Sequence, residues 1–508
     1  MKKQGLRKPL SRRDFLRMAG GLAAGATLAA CAPKTVIVEK EVERTVVVEK
    51  EVEKVVKETV IVEGTPKVVE KKVTEIVQEV VTAAPAAAEP VTITWMNWWG
   101  AHREVLMLEI IARFQEEFPH ITVENQVQPW DNDVQRRATA IASQDPPSLI
   151  MTPRVEAQKF AHEGLLIPID PYIEAKGIDV YEVFVESDIN NCKWADQFWS
   201  YPLPSGGVDS SFWLYNKNMM RDAGLDPEKP PTTWQEVEQV IDAVTRIEDG
   251  NLETCGLSGV GSGNFPKWLY CNNGQYYSDD SRQLLFNQPE GVETLEWMKS
   301  LIDEKMGGIE AYNAFFEVGA SALEADHHFY TDKLCFGPYN VSIFGHFKNV
   351  ALEKFENTEE WGVMLVPYNG NNPQAKATGL SGFAFSWNQV IPKGLDQKVQ
   401  DAAYEWLEFF TMRRAGGCWF LFEQARPSPV KACNENPDYY AANPYWDVVL
   451  QALAIDKSVP VTPVQSQIAD LVTEAVDEVW FGLRTPKEAL DWAYDQTQPI
   501  LDNFWSGS

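Results

Sequence analysis

The segment Pro33–Lys67 reads PKTVIVEKEVERTVVVEKEVEKVVKETVIVEGTPK, and it contains no Trp, Phe, Tyr, Leu or Cys. Its residues alternate with a period of two, which is typical of an extended strand, although a charged helix is also compatible with so much Glu and Lys. Without large apolar side chains this segment cannot bury a core of its own. The sequence therefore predicts a tether over residues 32–90, continued by a Pro- and Ala-rich linker at 82–90, with a self-association stalk as the alternative.

The residues in front of the tether have the pattern of an export signal. Residues 1–31 read MKKQGLRKPLSRRDFLRMAGGLAAGATLAAC, a basic start followed by a short Ala-, Gly- and Leu-rich stretch. Arg12 and Arg13 lie in a segment that resembles the twin-arginine motif, and Leu28–Cys31 resembles a lipobox, in which the cysteine is lipidated. We therefore expect export and a lipid anchor at Cys31 on the outer face of the cytoplasmic membrane. The alternative is an ordinary cleaved signal with an incidental cysteine.

Residues 91–508 must contain the folded part, and 418 residues suit two lobes better than a single core. Without the signal, which holds seven of the 45 basic and one of the 73 acidic residues, the net charge is −34. A surface this acidic argues against nucleic acid as a partner. The six cysteines after Cys31 allow 15 disulfide pairings, and their spacing leaves the pairing open: Cys192, Cys255, Cys271, Cys335, Cys418 and Cys433.

Strand and helix patterns alternate at the start of this folded part. Strands are predicted at 91–96, 121–125 and 148–151, and helices at 101–117 and 133–143. Farther on, Thr233 and Glu236 have the spacing of a capping box at a helix start. Alternating strands and helices predict an α/β fold with a largely parallel sheet, whose ligands bind beyond the carboxyl ends of the strands.

Eight short motifs in order resemble the family 1 extracellular solute-binding proteins of ABC importers, a maltose-binding-protein-like group. They lie at 93–99, 114–123, 145–151, 201–204, 214–217, 361–367, 403–410 and 482–490. The resemblance implies a periplasmic-binding-protein-like fold with two α/β lobes joined by crossing hinge strands. We expect residues 91–207 with 378–427 to form lobe one, and residues 208–377 with 428–508 to form lobe two. Hinge closure around a ligand would be the working motion.

The sequence contains 18 tryptophans, and flat aromatic rings suit the apolar faces of sugars. Trp98 and Trp99 follow the first predicted strand directly, where a cleft is expected to open. We therefore predict that they contact a ligand. The alternative is that one of them packs on the first helix.

The resemblance implies three further ligand-binding residues. Tyr339 follows Gly337-Pro338 and matches a family stretch in which an aromatic residue stacks on the sugar. Asp209 lies near the position of a family carboxylate that accepts hydrogen bonds from sugar hydroxyls. Arg154 follows the strand at 148–151, where the maltose group carries a ligand-binding arginine, and its alternative role is a solvated charge at a helix start.

Two more regions are expected near the cleft. Phe265 and Trp268 precede the Asn273-Gly274 turn that this family places there, although Trp268 fits a core position equally well. Arg426 lies in an Ala-Arg-Pro-Ser-Pro segment, from which it can either point into the cleft or cap a helix.

The expected function is capture of a carbohydrate and its delivery to ABC permease subunits, without a cofactor and without catalysis. The chain contains no nucleophile elbow, zinc-protease motif or phosphate-binding loop. His327 and His328 are adjacent and do not face one ligand from a helix, which argues against a metal site. The alternatives are another small solute such as a polyol phosphate, an extracytoplasmic hydrolase and a surface adhesin.

Overall fold

The computed structural model describes residues 45–62, 65–82, 89–203, 212–381 and 386–507. Contacts divide the chain into two compact units, Met1–Ala88 and Glu89–Ser508. Four predicted functional residues lie outside the described residues: Arg12, Arg13, Cys31 and Asp209. Within the described part of the chain, no helix is both long and apolar enough to cross a membrane.

In the first unit the tether forms a β-hairpin. Strand β1 (Thr45–Val62) pairs with β2 (Thr65–Thr82) in antiparallel register, from Thr45 opposite Thr82 to Val62 opposite Thr65. Of the two conformations compatible with the sequence, the extended one is therefore present. Each 18-residue strand spans about 60 Å. Because the second strand runs back along the first, the hairpin is as long as one strand and not as long as two.

In the second unit, the first lobe is built on a five-stranded sheet in the order β4-β3-β5-β15-β8. Strands β4, β3 and β5 are parallel, as predicted, whereas β15 runs antiparallel to both β5 and β8. The strands of this lobe are β3 (Val91–Asn97), β4 (Ile121–Val127), β5 (Leu149–Pro153), β6 (Lys193–Trp194), β7 (Gln197–Phe198), β8 (Pro202–Leu203) and β15 (Trp387–Val390). Its helices are α1 (His102–Glu117), α2 (Asp133–Ile141), α3 (Arg154–His162), α4 (Asp170–Lys176), α5 (Val180–Val183), α6 (Glu186–Asn190), α14 (Gln397–Met412), α15 (Trp419–Glu423) and α16 (Lys431–Asn434).

The second lobe is built on a sheet in the order β10-β11-β12-β9-β13, in which only β11 and β12 are parallel neighbours. The prediction of a largely parallel sheet is wrong for this lobe. Its strands are β9 (Phe212–Asn216), β10 (Arg246–Glu248), β11 (Asn251–Leu257), β12 (Leu334–Pro338) and β13 (Trp361–Leu365), with β14 (Gly379–Ser381) paired to β16 (Asp456–Ser458) apart from the sheet. Its helices are α7 (Lys217–Asp222), α8 (Trp234–Val244), α9 (Phe265–Cys271), α10 (Pro289–Ser300), α11 (Ile309–Phe315), α12 (Ser342–Val350), α13 (Leu352–Glu356), α17 (Tyr439–Ala442), α18 (Trp446–Ile455), α19 (Gln465–Trp480) and α20 (Pro486–Ser506).

Local sequence signals explain the helix positions. Helix α1 buries Met107, Ile110, Ile111 and Phe114, which recur at the spacing of one helical face. The capping box predicted at the start of α8 is confirmed: Glu236 N donates to Thr233 Oγ1, and Thr233 N donates to Glu236 Oε2 over 3.0 Å. These interactions satisfy backbone N–H groups that the first turn leaves without partners.

Each lobe has its own aromatic core. In the first lobe Trp95 packs on Trp406, with ring centroids 5.3 Å apart. In the second lobe Trp234 stacks on Trp297, with centroids 4.0 Å apart. The first core includes residues up to Tyr201 and resumes at Val390, and the second begins at Phe212.

The later lobe boundaries differ slightly from those expected. Leu380 packs in the second core, because β14 pairs with β16 rather than with the first sheet. Between 425 and 439 the chain contacts both cores: Ala425 belongs to the second, and Val430 and Cys433 belong to the first. No single residue therefore separates the lobes in this segment.

Among the six described cysteines one disulfide is formed, so none of the fifteen arrangements that pair all six is present. Cys418 and Cys433 form a disulfide, with Cα atoms 5.5 Å apart. The other described cysteines are buried thiols, and they are Cys192, Cys255, Cys271 and Cys335.

Candidate functional site

A cavity of about 490 Å³ lies between the two lobes. The first lobe contributes residues from α2, the β5–α3 junction and β15, and the second contributes residues from α9 and α19. The polar and aromatic side chains that line the cavity are Asp133, Arg137, Glu156, Ser262, Tyr276, Trp387, Gln465, Ser466 and Thr473. A pocket of this size, formed by two lobes and mixing rings with polar groups, is typical of a small-molecule site.

Arg137 organises the first-lobe wall of this cavity. Its guanidinium donates to both carboxylate oxygens of Glu156 over 2.6 Å, and to Asp133 Oδ2 over 2.7 Å. Only 1% of the Arg137 side chain is exposed, and the paired carboxylates raise its pKa against the effect of burial. The guanidinium carbon also lies 5.0 Å from the centre of the Trp98 ring. These contacts hold two carboxylates rigidly beside the cavity.

Aromatic rings and an amide complete the cavity lining. The ring centroid of Trp387 in β15 lies 5.7 Å from that of Trp130, whose side chain is 48% exposed. On the second lobe, the Tyr277 hydroxyl donates to Gln465 Oε1, and the Gln465 side chain also forms a hydrogen bond with the Tyr276 side chain. The cavity thus combines ring faces and carboxylate acceptors with a side-chain amide from the second lobe.

A second group of polar side chains meets between the lobes. It consists of His102, Arg103, His346 and Arg426, and is called the basic cluster below. His102 and Arg103 begin α1 in the first lobe, whereas His346 lies on α12 in the second. The rings of His102 and His346 meet edge to face at 5.3 Å, and Arg103 lies 5.7 Å from the centre of the Trp99 ring.

The surroundings of the basic cluster disfavour the positively charged form of each of its four side chains. Burial, together with Arg103 and Arg426, lowers the pKa of His102 to about 4 and that of His346 to about 2. Burial lowers the pKa of Arg103 to about 10, and burial with the neighbouring Arg103 lowers that of Arg426 to about 9. Both effects disfavour positive charge at this place.

The tryptophan pair predicted to contact ligand is buried between these two groups. Trp98 is 1% exposed, and its Nε1 donates to Pro129 O over 3.0 Å. Trp99 stacks on Phe420, with ring centroids 5.7 Å apart. The pair therefore lies between Arg137 on one side and Arg103 on the other, and direct ligand contact remains a prediction.

Arg154 connects the lobes. Its Nη1 donates to Val459 O in the second lobe over 2.9 Å, and burial lowers its pKa to about 10. A solvated charge, the alternative considered for this residue, is excluded because Arg154 is 5% exposed. Its neighbours Pro153 and Val155 line the cavity, while Arg154 itself holds backbone of the opposite lobe.

Tyr339 and Arg426 lie apart from the cavity lining. Tyr339 is half-buried, and its ring lies about 6 Å from those of His327 and Phe329. Its hydroxyl is buried without a partner in the described part of the chain. Arg426 donates from Nη1 to Gln424 Oε1 over 3.2 Å and belongs to the basic cluster.

Phe265 and Trp268 pack inside the second lobe. Phe265 is fully buried, and Trp268 meets the rings of Trp213 and Trp297 edge to face, with its Nε1 donating to Gly259 O. For Trp268 the core position considered as an alternative is the one the structure shows. The neighbouring Pro266, and not these two rings, lines the cavity.

Several residues at this site were not predicted from the sequence. The most informative are Arg137, Glu156, Trp387, Gln465 and His346. Glu156 lies just past the end of strand β5, so strand-end position is a usable signal for it, whereas Arg137 lies in the middle of helix α2, where strand-end position gives no signal. Among the described residues, no group of three or more His, Cys, Asp or Glu side chains is placed to hold a metal ion.

The family of this chain is shown by its match to the family model described as bacterial extracellular solute-binding protein, over residues 100–415. The sn-glycerol-3-phosphate-binding periplasmic protein UgpB of Salmonella typhimurium is 25% identical over 359 residues, covering 65% of this chain and 76% of that protein. The corresponding protein of Escherichia coli strain K12 is 24% identical over 305 residues, covering 57% of this chain and 65% of that protein.

Solved structures share the fold. An ABC transporter solute-binding protein from Thermotoga lettingae has a TM-score of 0.66 at 20% identity, covering 81% of this chain and 99% of its own. The GacH receptor of Streptomyces glaucescens has a TM-score of 0.64 at 18% identity, covering 81% and 98%. The MalE domain from Bdellovibrio bacteriovorus has a TM-score of 0.63 at 17% identity, covering 82% and 100%. With two α/β lobes and a family match over more than half of its length, this chain belongs to the bacterial extracellular solute-binding proteins, which are exported.

Proposed function

We propose that this chain captures a carbohydrate in the cavity between its lobes and delivers it to the permease subunits of an ABC importer. The observation that carries this proposal is the lining of the cavity. Trp387 and Tyr276 offer ring faces, Asp133 and Glu156 offer carboxylate oxygens, and Gln465 offers an amide. Sugars combine apolar C–H faces with hydroxyl groups, and this set of groups can bind both.

Both lobes are needed to form such a site. Glu156 belongs to the first lobe and Gln465 to the second, so one ligand that contacts both holds the lobes together. Both Glu156 oxygens accept hydrogen bonds from Arg137, and Oε2 also accepts from Thr152 Oγ1, so Oε1 retains a second lone pair for a ligand hydroxyl. Closure around the ligand gives permease subunits a shape that the ligand-free protein lacks.

The structural relatives support a carbohydrate as the class of ligand. The Thermotoga lettingae protein is bound with alpha-D-tagatose, the GacH receptor was solved with acarbose, and the Bdellovibrio bacteriovorus domain is bound to maltotriose. Their identity to this chain is low, so the support extends to the class and not to a particular sugar.

A matched pair of variants tests the site. In titration calorimetry against mono- and oligosaccharides, we expect Glu156→Gln to weaken binding about tenfold or more, because a charged hydrogen bond to the ligand is lost. Glu163→Gln, an exposed position just after the same helix, should leave affinity unchanged. A ligand at 100 times its Kd should also add about 2.7 kcal/mol to the free energy of unfolding. If no carbohydrate raises the melting temperature of the folded protein, the proposal is wrong.

We further propose that the protein is lipid-anchored at Cys31 after export directed by Arg12 and Arg13. The support is the joined twin-arginine and lipobox pattern in residues 1–31. Cells that express Cys31→Ala should release the protein from the membrane fraction and show no lipid labelling. A variant that remains membrane-bound and labelled would disprove the anchor.

A further inference from the structure

We propose that the basic cluster binds an anionic group on the ligand, so that the substrate class is a carbohydrate or polyol carrying a phosphate or a carboxylate. This inference rests on the proposed function, because it gives the same ligand a second contact between the lobes. Arg137 at the cavity contacts Trp98, and Arg103 of the cluster contacts the next residue, Trp99.

The side chains of the basic cluster have buried nitrogen atoms without hydrogen-bond partners among the described residues. Arg426 is 5% exposed and His346 is 7% exposed. Each member of the cluster has a buried nitrogen that forms no hydrogen bond to any described residue: His102 Nε2, Arg103 Nε, His346 Nδ1 and Arg426 Nε. A buried polar group without a partner costs free energy, so four in one place indicate that something outside the described chain satisfies them.

Among the described residues, no negative charge balances the basic cluster. The groups that shift the pKa of His102 and His346 are Arg103, Arg426 and, for His346, His102 itself, and all of them disfavour protonation. Beyond these, Tyr439 of α17 faces Arg426. No described carboxylate acts on the cluster. The chain has 28 more acidic than basic residues, yet no described carboxylate lies at the basic cluster.

The start of α1 lies in the basic cluster and also favours an anion. Ala101 at the N-cap has no side chain that can accept a hydrogen bond, and the 16-residue helix begins at His102. The free N–H groups and the dipole of such a helix end attract an anion. This feature is independent of the unpartnered side chains and favours the same chemistry.

An anion bound at the cluster also affects the closure of the two lobes. Arg103 lies in the first lobe, and Arg426 follows Ala425, which packs in the second core, so repulsion between these two guanidinium groups opposes their approach. An anion placed between them removes that repulsion and accepts charged hydrogen bonds from both lobes. The charge of the ligand then promotes closure of the lobes.

Titration calorimetry on the full chain tests this inference. The anionic probes are glycerol 3-phosphate, glucose 6-phosphate, glucuronate and inorganic phosphate, and the neutral probes are glycerol and glucose. We expect at least one anionic carbohydrate or polyol to bind about tenfold or more tightly than its neutral counterpart. The phosphate and carboxylate probes distinguish the two kinds of anion. Inorganic phosphate should bind more weakly than the phosphorylated ligand, because it cannot reach the cavity.

Variants test whether the basic cluster causes the tighter binding of anionic probes. Arg103→Gln and Arg426→Gln should each weaken anionic binding by about ten- to a hundredfold, Arg426→Lys should retain part of it, and the exposed control Arg246→Gln should not change it. The melting temperature of ligand-free Arg426→Gln should stay equal or rise, because a buried charge has been removed. Neutral probes that bind as tightly as anionic ones, or variants that weaken both kinds equally, would overturn the inference while leaving the proposed function intact. Failure of all probes would contradict the proposed function as well.

Asp209 requires its own control because it lies outside the described residues. If this carboxylate neutralised the cluster, Asp209→Asn and Arg426→Gln would destabilise the ligand-free protein equally, and the double variant would be no worse. That result would overturn the inference. Additive or absent effects support an anion that comes from the ligand.

Discussion

The rings of His102 and His346 meet edge to face, with centroids 5.3 Å apart, although the residues belong to different lobes and are 244 positions apart in the chain. Burial and the neighbouring Arg103 and Arg426 keep both imidazoles neutral near neutral pH, since their pKa values fall from 6.5 to about 4 and about 2.

This contact predicts acid sensitivity. The unfolded chain binds protons at these histidines below about pH 6.5, whereas in the folded protein His102 does so only below about pH 4 and His346 only below about pH 2. The stability should therefore decrease as the pH falls from about 6.5 to about 4. Melting curves from pH 7 to pH 4 should show a flatter dependence for the double variant His102→Gln/His346→Gln than for wild type. His120→Gln, outside the cluster, serves as the control. Superimposable wild-type and double-variant profiles would refute the prediction.

The Arg137–Glu156 pair should stabilise the first lobe. Arg137→Met leaves Glu156 and Asp133 without their shared partner, and we expect a loss of about 1.5–3 kcal/mol in the free energy of unfolding. The neighbouring Arg136 has a 40% exposed side chain, so Arg136→Met should change stability by less than about 0.5 kcal/mol. Urea unfolding of both variants measures the difference. Equal stability of the two variants would show that the pair contributes nothing net.

Tyr339 remains our predicted sugar-stacking residue. We expect Tyr339→Ala to weaken ligand binding by about ten- to a hundredfold, and Tyr339→Phe to keep most of the affinity because the ring is retained. The phenylalanine variant should melt no lower than wild type, since it removes a buried hydroxyl without a described partner. Titration calorimetry and a ligand-free melt on both variants provide the measurement. Unchanged affinity of Tyr339→Ala with a much lower melting temperature would identify a core residue.

The Cys418–Cys433 disulfide should contribute to stability. The two cysteines are 15 residues apart, and closing a loop of that length stabilises a folded protein by about 3 kcal/mol in the chain-entropy model. Reductant should therefore lower the melting temperature of wild type but not that of Cys418→Ser/Cys433→Ser. If reductant does not lower the melting temperature of the wild-type protein, the disulfide does not stabilise it.

The hairpin unit should be dispensable for binding. Contacts separate Met1–Ala88 from Glu89–Ser508, so a shortened chain that starts at Glu89 should fold and bind as the mature protein does. Calorimetry and melting curves on the two chains should agree. Aggregation, or an affinity about tenfold lower, would show that the tether is part of the binding domain.

Local periodicity predicted many of the elements. Helix α1 was expected at 101–117 and runs from His102 to Glu117, and α2 was expected at 133–143 and runs from Asp133 to Ile141. These predictions succeed because a side of a helix or strand that faces a core repeats apolar residues at a short, fixed spacing. A glycine between two valine-rich runs, as at Gly64, favours a turn between two strands.

The sequence by itself determined the tether, the order of strands and helices at the start of the domain, and the family motifs, since each depends on residues that are close together in the chain. Only the tertiary structure decided that Arg137 pairs with Glu156, that Trp268 packs among other tryptophans, and that His102 meets His346. A local pattern shows that a side chain will be buried, but not which residue will cover it. That choice depends on how the two lobes fold and approach each other, because the free energy of each contact is shared among residues far apart in the chain.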